Sequence, residues 1–233
     1  MEDASSRLSA VLARMECATA RAARPAGSVR LVAVSKTHPP EAVAAAAAAG
    51  QRIFGESRVQ EARDKIACCP HGLEWHFIGH LQKNKVRQAV PLFDMFHSID
   101  STGLAHAVDR IAGEAGRTVD GLLEVNVSGE TTKHGFTPAE LRSALAPLAK
   151  LPRLQIAGLM TMAPYSDDPE DARPVFRALR ELRDELQEKH GWPLPELSMG
   201  MSGDFEPAIE EGSTLVRVGT AIFGVRPQSA LLP

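Results

Sequence analysis

The sequence predicts a parallel (β/α)8 TIM barrel, and three observations carry that expectation. Short apolar runs alternate with helical patterns eight times along 233 residues. No change of composition, linker or internal repeat divides the chain. The length is also close to the roughly 250 residues such a barrel takes, which implies short loops. An open doubly wound sheet is the alternative reading of the same alternation. The expectation is one domain over residues 1–233, with a first helix over 3–23 packed outside the barrel.

The elements follow in order. Leu8, Val11, Leu12 and Met15 share one helical face, and Arg24-Pro25-Ala26-Gly27 ends that helix. Residues 31–36 form the first strand. Pro39-Pro40 opens an alanine-rich helix closed by Gly50, thin enough to lie close on a sheet. Residues 52–56 are a second strand, 57–67 a helix, 75–79 a third strand and 81–89 a basic helix. The fourth strand covers 95–100, and Asp100-Ser101 is a helix cap for a segment running to about residue 115. The fifth strand, 122–127, leads through a polar loop at 128–135 to a helix opened by Thr137-Pro138. Residues 154–160 are the sixth strand. The helix over 169–190 carries Ala172, Val175, Phe176, Leu179, Leu182 and Leu186 on one stripe. The seventh strand is 197–201, followed by a helix near 205–211. The eighth, 215–219, runs into 220–224.

Composition excludes several function classes. Lys and Arg number 26 against 29 Asp and Glu, a net charge of −3, so no global field favours nucleic acid or an anionic membrane. The three cysteines, Cys17, Cys68 and Cys69, make no disulfide framework and no CxxC pair, which suits a reducing compartment. No apolar run approaches the roughly 20 residues of a membrane span. The opening MEDASSRLSAVLARM lacks a basic segment followed by an apolar one, so the expected location is the cytoplasm.

The candidate chemistry sits at strand ends. In LVAVSKT, Lys36 closes an apolar strand, and apolar walls favour the neutral amine that attacks a carbonyl to form a Schiff base. The ordinary alternative is a lysine reaching for water. In a barrel, phosphate is commonly held by the loops after strands seven and eight. Here those loops are Met201-Ser202-Gly203-Asp204 and Gly219-Thr220-Ala221, each with a glycine, a hydroxyl and a following helix start. Arg217 lies two residues before Gly219 and shares its face; in an apolar strand it needs an acceptor, either a carboxylate such as Glu56 or a ring nitrogen of a ligand. Lysine, phosphate cup and arginine together describe a pyridoxal 5′-phosphate (PLP) site. A Schiff-base aldolase with a sugar-phosphate site uses the same parts. His76 and His80 straddle a strand end, so their spacing does not make a metal pair, and no metal is expected. Lys83, Lys85 and Arg87 read as a solvated basic face, Glu56 and Glu61 as structural, and Met160 and Met162 as packing.

The blocks LVAVSKTHP, FGESRVQEARDKI, WHFIGHLQKNKVR, HSID, LLEVNVSGETTKHGF, GLMTMAP and LSMGMSGDFEPAIEEGSTLVRVGTAIFG resemble the pyridoxal phosphate homeostasis protein family (YggS-like) over about residues 31–224. That family resembles the barrel domain of bacterial alanine racemase, a fold-type III PLP architecture, without the racemase's second domain. The resemblance implies a non-catalytic protein that buffers PLP, maintains vitamin B6 and amino-acid balance and supplies apo PLP enzymes; with no second domain to contribute across an interface, the expected state is a monomer. It implies a Schiff base between PLP and Lys36, phosphate contacts from Ser202, Gly203, Gly219 and Thr220, and Arg217 at the pyridine nitrogen. It also implies Ser57 near the cofactor, where the family has asparagine, and Lys133 in a relay of PLP between lysines. Arg58 stands where the family often has tyrosine, and His38 where it sometimes has a second lysine. A PLP-dependent racemase of the same barrel type is the alternative. The chain's one tyrosine, Tyr165, lies in a loop with no evident way to act as the second base, and an arginine can only donate to the ring nitrogen.

Overall fold

Eight parallel strands hydrogen-bond in sequence order and close on themselves in the structure, a computed structural model that describes residues 4–130 and 133–224. The strands are β1 (Arg30–Val34), β2 (Ile53–Glu56), β3 (Glu74–Phe77), β4 (Met95–Ile99), β5 (Val119–Glu124), β6 (Leu154–Met160), β7 (Glu196–Ser198) and β8 (Leu215–Val218). The register that closes the barrel pairs Arg30 with Leu215 through Ala33 with Val218. That pairing rules out the open sheet, whose edge strands would have no such partner.

The helices are α1 (Ala4–Arg21), α2 (Pro40–Ala48), α3 (Val59–Ile66), α4 (Val86–Ala89), α5 (Thr102–Glu114), α6 (Pro138–Leu148), α7 (Arg173–His190), α8 (Phe205–Glu210) and α9 (Thr220–Phe223). Several starts and stops are legible chemistry. Ser101 caps α5, its side chain accepting from Leu104 N, as expected. Thr137 and Glu140 form a reciprocal capping box on α6, and Gly191, with φ of 64°, ends α7. The predicted basic helix over 81–89 is shorter than expected: Lys83–Lys85 is a 3-10 turn and only Val86–Ala89 is α-helical. Lys83, Lys85 and Arg87 crowd like charge at its start, and neither piece has an acidic first turn or a side-chain cap. Strands five and seven also end earlier than predicted, at Glu124 and Ser198. Parts of the predicted 3–23 helix and 128–135 loop lie outside the described residues.

Two apolar clusters divide the molecule. The larger fills the layer between strands and helices and includes Phe54, Phe77, Phe96, Leu141, Phe176 and Phe205. The smaller, made of Val32, Met95, Leu122, Met160 and Leu215 with Ile53 and Ala157, draws on strands around the ring and plugs the barrel interior. Packing is tight enough to select residue type. A Cβ on Gly158 would lie 1.9 Å from the Glu196 carbonyl oxygen, so β6 and β7 approach only because position 158 has no side chain. Helix α1 packs against α2, α8 and α9, with a two-pronged Arg14–Glu206 pair at 2.8 and 2.9 Å. No helix among the described residues is long and apolar enough to cross a membrane.

Candidate functional site

At the C-terminal mouth of the barrel a cavity of about 330 Å3 gathers residues from β1, β8 and the loops after β6 and β7. Lys36, Ser202, Gly203, Arg217, Gly219 and Thr220 all line it. These six were expected to meet, although Lys36 and Thr220 are 184 positions apart in the chain. The β1–β8 register explains how: Val32 lies opposite Arg217 and Ala33 opposite Val218, so Lys36 and Thr220 emerge side by side past the strand ends.

Lys36 is half-buried. It lies two residues beyond the end of β1, on the lip of the cavity. Its neighbours are held firmly from below. The Lys65 ammonium, itself buried, donates to the Ser35 carbonyl oxygen at 2.8 Å and to Glu56 Oε1 at 2.7 Å. Ser35 Oγ donates to the same Glu56 oxygen at 2.7 Å, and Thr37 N donates to Glu61 Oε1 at 2.5 Å. Thr37 takes a φ of 68°, costly for a β-branched residue at about 1 kcal/mol, and the hydrogen bond from its backbone N–H to Glu61 accompanies that conformation. Burial pushes the Glu56 carboxyl up despite the ammonium beside it. Glu61 also feels burial, but hydrogen bonds from Thr37 and Lys65 hold it below the ordinary carboxylate range.

The other wall is built by β7 and β8. Ser202 Oγ accepts from Gly219 N at 3.3 Å and from Ala221 N at 3.5 Å, so the two expected loops are tied together. A Cβ on Gly219 would meet the Val34 carbonyl oxygen at 3.1 Å; the glycine there is demanded by the neighbouring strand β1. Around Gly203 the space is open. Asp204 faces the same cavity, with Oδ1 accepting from Met201 N at 2.6 Å.

Arg217 is buried and makes no ion pair with Glu56, which is spent on Lys65. Its Nη1 donates to Ser198 Oγ and its Nη2 to the Thr161 carbonyl oxygen at 3.0 Å, both neutral acceptors. Burial lowers its pKa to about 10, still charged at neutral pH.

The family model for the N-terminal domain of alanine racemase matches residues 7–227. Curated relatives named pyridoxal phosphate homeostasis protein include one from Aquifex aeolicus, 47% identical over 96% of this chain and 99% of its own, and one from Escherichia coli, 41% identical over 98% and 99%. This chain belongs to the pyridoxal phosphate homeostasis protein family. Among solved structures, PipY of Synechococcus elongatus, determined with PLP bound, is 42% identical and superposes with a TM-score of 0.83, covering 95% of this chain and 100% of PipY. Alanine racemase from Corynebacterium glutamicum shares the barrel, with a TM-score of 0.72 at 19% identity; this chain covers 63% of it.

Two residues to which the family resemblance points stand outside the cavity lining of this homeostasis-family barrel. Ser57 lines a separate depression with Arg58, His80 and Lys85. Lys133 donates to the carbonyl oxygen of Met162, a rim residue, at 3.1 Å and pairs with Glu130 at 2.9 Å. Tyr165 is on the rim but 93% exposed, its hydroxyl donating to Asp167. Sequence reasoning passed over Glu124, buried at the end of β5, whose carboxyl burial and then Asp100 push up to about 7. It also set His76 aside, which is fully buried and bonded to His97. His80 Nδ1 pairs with Asp100 at 3.0 Å while His134 stacks on the His80 ring.

Proposed function

We propose that this protein is a non-catalytic carrier and buffer of pyridoxal 5′-phosphate, a single PLP-binding barrel over residues 1–233 that works as a cytoplasmic monomer and hands PLP to apo enzymes. The observation that carries this reading is the meeting of one amine, one buried guanidinium and two hydroxyl-glycine turns around a single cavity. PLP, when bound, supplies an aldehyde that condenses reversibly with an amine. Lys36 is the amine in this reading. Ser202, Gly203, Gly219 and Thr220 hold the phosphate, and Arg217 donates to the ring nitrogen. An arginine in that place keeps the nitrogen unprotonated, and an unprotonated ring is a weak electron sink, so the site favours capture and release over carbanion chemistry. Lys133, tied to the cavity rim through Met162, is the second lysine of a relay. Ser57 lines the neighbouring depression, and its place near the cofactor rests on the family resemblance. The relatives' printed names and the PLP-bound PipY structure support the same reading.

Titrating purified protein with PLP tests it. The expected result is the visible absorption band of lysine-bound PLP, borohydride locking PLP onto Lys36, and loss of both in Lys36→Ala. A panel of L- and D-amino acids is expected to show no racemisation. Robust racemisation that disappears with Lys36→Ala would replace the carrier reading with a racemase.

A further inference from the structure

A line of polar side chains crosses the barrel interior from the cavity to the opposite mouth. Arg217 Nη1 donates to Ser198 Oγ, which lies 2.8 Å from His97 Nδ1. His97 Nε2 lies 2.9 Å from His76 Nδ1, and His76 Nε2 lies 2.7 Å from Glu74 Oε1. His76, His97 and Ser198 are fully buried. The Glu74 side chain is 40% exposed and lines a cavity at the other mouth with Arg30, Asp120 and Glu196.

The donor chemistry at the Arg217 end favours one set of proton positions along this line. A guanidinium has donors only, so Ser198 Oγ accepts from Arg217. The one hydroxyl proton of Ser198 then has a single acceptor among its described partners, His97 Nδ1, when that nitrogen is bare. A neutral His97 carries its proton on Nε2 and donates to His76 Nδ1, also bare. His76 in turn carries its proton on Nε2 and donates to the Glu74 carboxylate. A doubly protonated His97 would leave the Ser198 proton without an acceptor. It is also opposed by burial first of all, and then by the Arg217 and Arg30 cations, which hold the His97 imidazole well below its ordinary range. Glu74 is held below the carboxylate range chiefly by the bond from His76, with Arg30 adding to it. Every donor in the line therefore points away from the cavity, and every acceptor faces it.

We propose that Glu74, His76, His97 and Ser198 are positioning residues that hold Arg217 as a fixed donor at the cofactor cavity, anchoring it through the barrel to a carboxylate at the opposite mouth. The line gives Nη1 a neutral acceptor of fixed polarity, while the Thr161 carbonyl oxygen holds Nη2. Neither bond neutralises the guanidinium. Its remaining donors are left for the cavity that Arg217 lines. Reversing the polarity would make Ser198 Oγ accept from both His97 Nδ1 and Arg217 Nη1 and leave its own proton without an acceptor among its described partners. The inference rests on the PLP reading for what Arg217 serves, but not for the polarity of the line.

The test has two arms. Nitrogen-detected NMR of the histidine side chains in the PLP-free protein at neutral pH is expected to show His76 and His97 both neutral with the proton on Nε2. A His97 proton on Nδ1, or a doubly protonated ring, overturns the proposal. In PLP titrations followed by absorbance, His97→Leu is expected to weaken binding about tenfold while the Lys36-dependent band still forms. His97→Gln, which keeps one donor and one acceptor, is expected to stay within about threefold of the parent protein. A folded His97→Leu that binds within about twofold of the parent overturns the positioning role. If His97→Leu does not fold, Glu74→Gln at the far mouth decides: a His97 shift change with about threefold weaker binding supports the line, and unchanged values for both overturn it. Failure of the parent protein to bind PLP would sink the carrier reading, while the tautomer arm would still judge the line itself.

Discussion

Lys65 and Arg217 are the two most instructive cations in the molecule, because they are equally buried, at 5% exposure each, and are treated in opposite ways. Lys65 is saturated: Glu56, Glu61 and the Ser35 carbonyl oxygen all accept from its ammonium. Arg217 meets only neutral hydrogen-bond acceptors, a hydroxyl and a backbone carbonyl. A buried charge that is fully paired is consumed by the fold, and removing one partner strands the other. A buried charge whose hydrogen-bond partners are neutral carries a cost in stability, here partly offset by the nearby Asp204 and Glu124 carboxylates, and can act on whatever enters the adjoining cavity. The first cation braces the turn that carries Lys36; the second lines the cavity with donors that those two bonds do not take.

The strongest attempt to break this contrast is Lys65→Met. It leaves Glu56 buried without its cation, and the expected loss is about 3–5 kcal/mol in urea unfolding. The loss should be greater at pH 8 than at pH 5, since Glu56, already pushed up by burial, can escape the penalty by taking a proton. An equal loss at both pH values would mean that Glu56 is not the stranded group.

Glu124 sharpens the contrast, because it is an acid within the electrostatic reach of Arg217 without a hydrogen bond to it among those described. Its carboxyl is raised from 4.5 to about 7, so its charge penalises only the folded state, and stability falls as pH climbs through that window. Glu124→Gln should therefore stabilise the protein above pH 7 by about 3 kcal/mol at most and change little below pH 4.5. A loss of stability at pH 8 would instead make Glu124 the counter-ion that Arg217 was argued to lack.

Arg217→Met should cost less than about 2 kcal/mol, because losing two neutral hydrogen bonds is partly offset by relief of a buried charge. Urea unfolding beside Lys65→Met makes the comparison direct, and a cost as large as the lysine's would erase it. The smallest effect belongs to a surface pair with no such burial. Arg142 and Glu185 meet at 2.7 Å but are both about two-fifths exposed, so Glu185→Ala should shift stability by no more than about 0.5 kcal/mol.

The candidate site was legible where its residues sit in short linear signals. Lys36 ends an apolar run, and Ser202-Gly203 and Gly219-Thr220 follow the last two strands, so barrel geometry alone brings them together. The partners of Arg217 were not legible. Position 217 announced a need for an acceptor, and Glu56 was a reasonable carboxylate to name, but Glu56 bonds Lys65 from the following helix. Ser198 and His97 are 101 residues apart in the chain and meet only inside the closed ring.

The sequence by itself determined the order and number of strands, most of the helix boundaries and the placement of the amine and the glycine turns. Each of these follows from local patterning: apolar period, caps and punctuating Pro and Gly. Only the tertiary structure decided which polar side chains face inward, how far Lys36 is covered, and which buried charge is paired. Strands covered on both faces read as nearly continuous apolar runs, so the inward face leaves no alternation to read. Closure of β1 on β8 then sets which residues become neighbours.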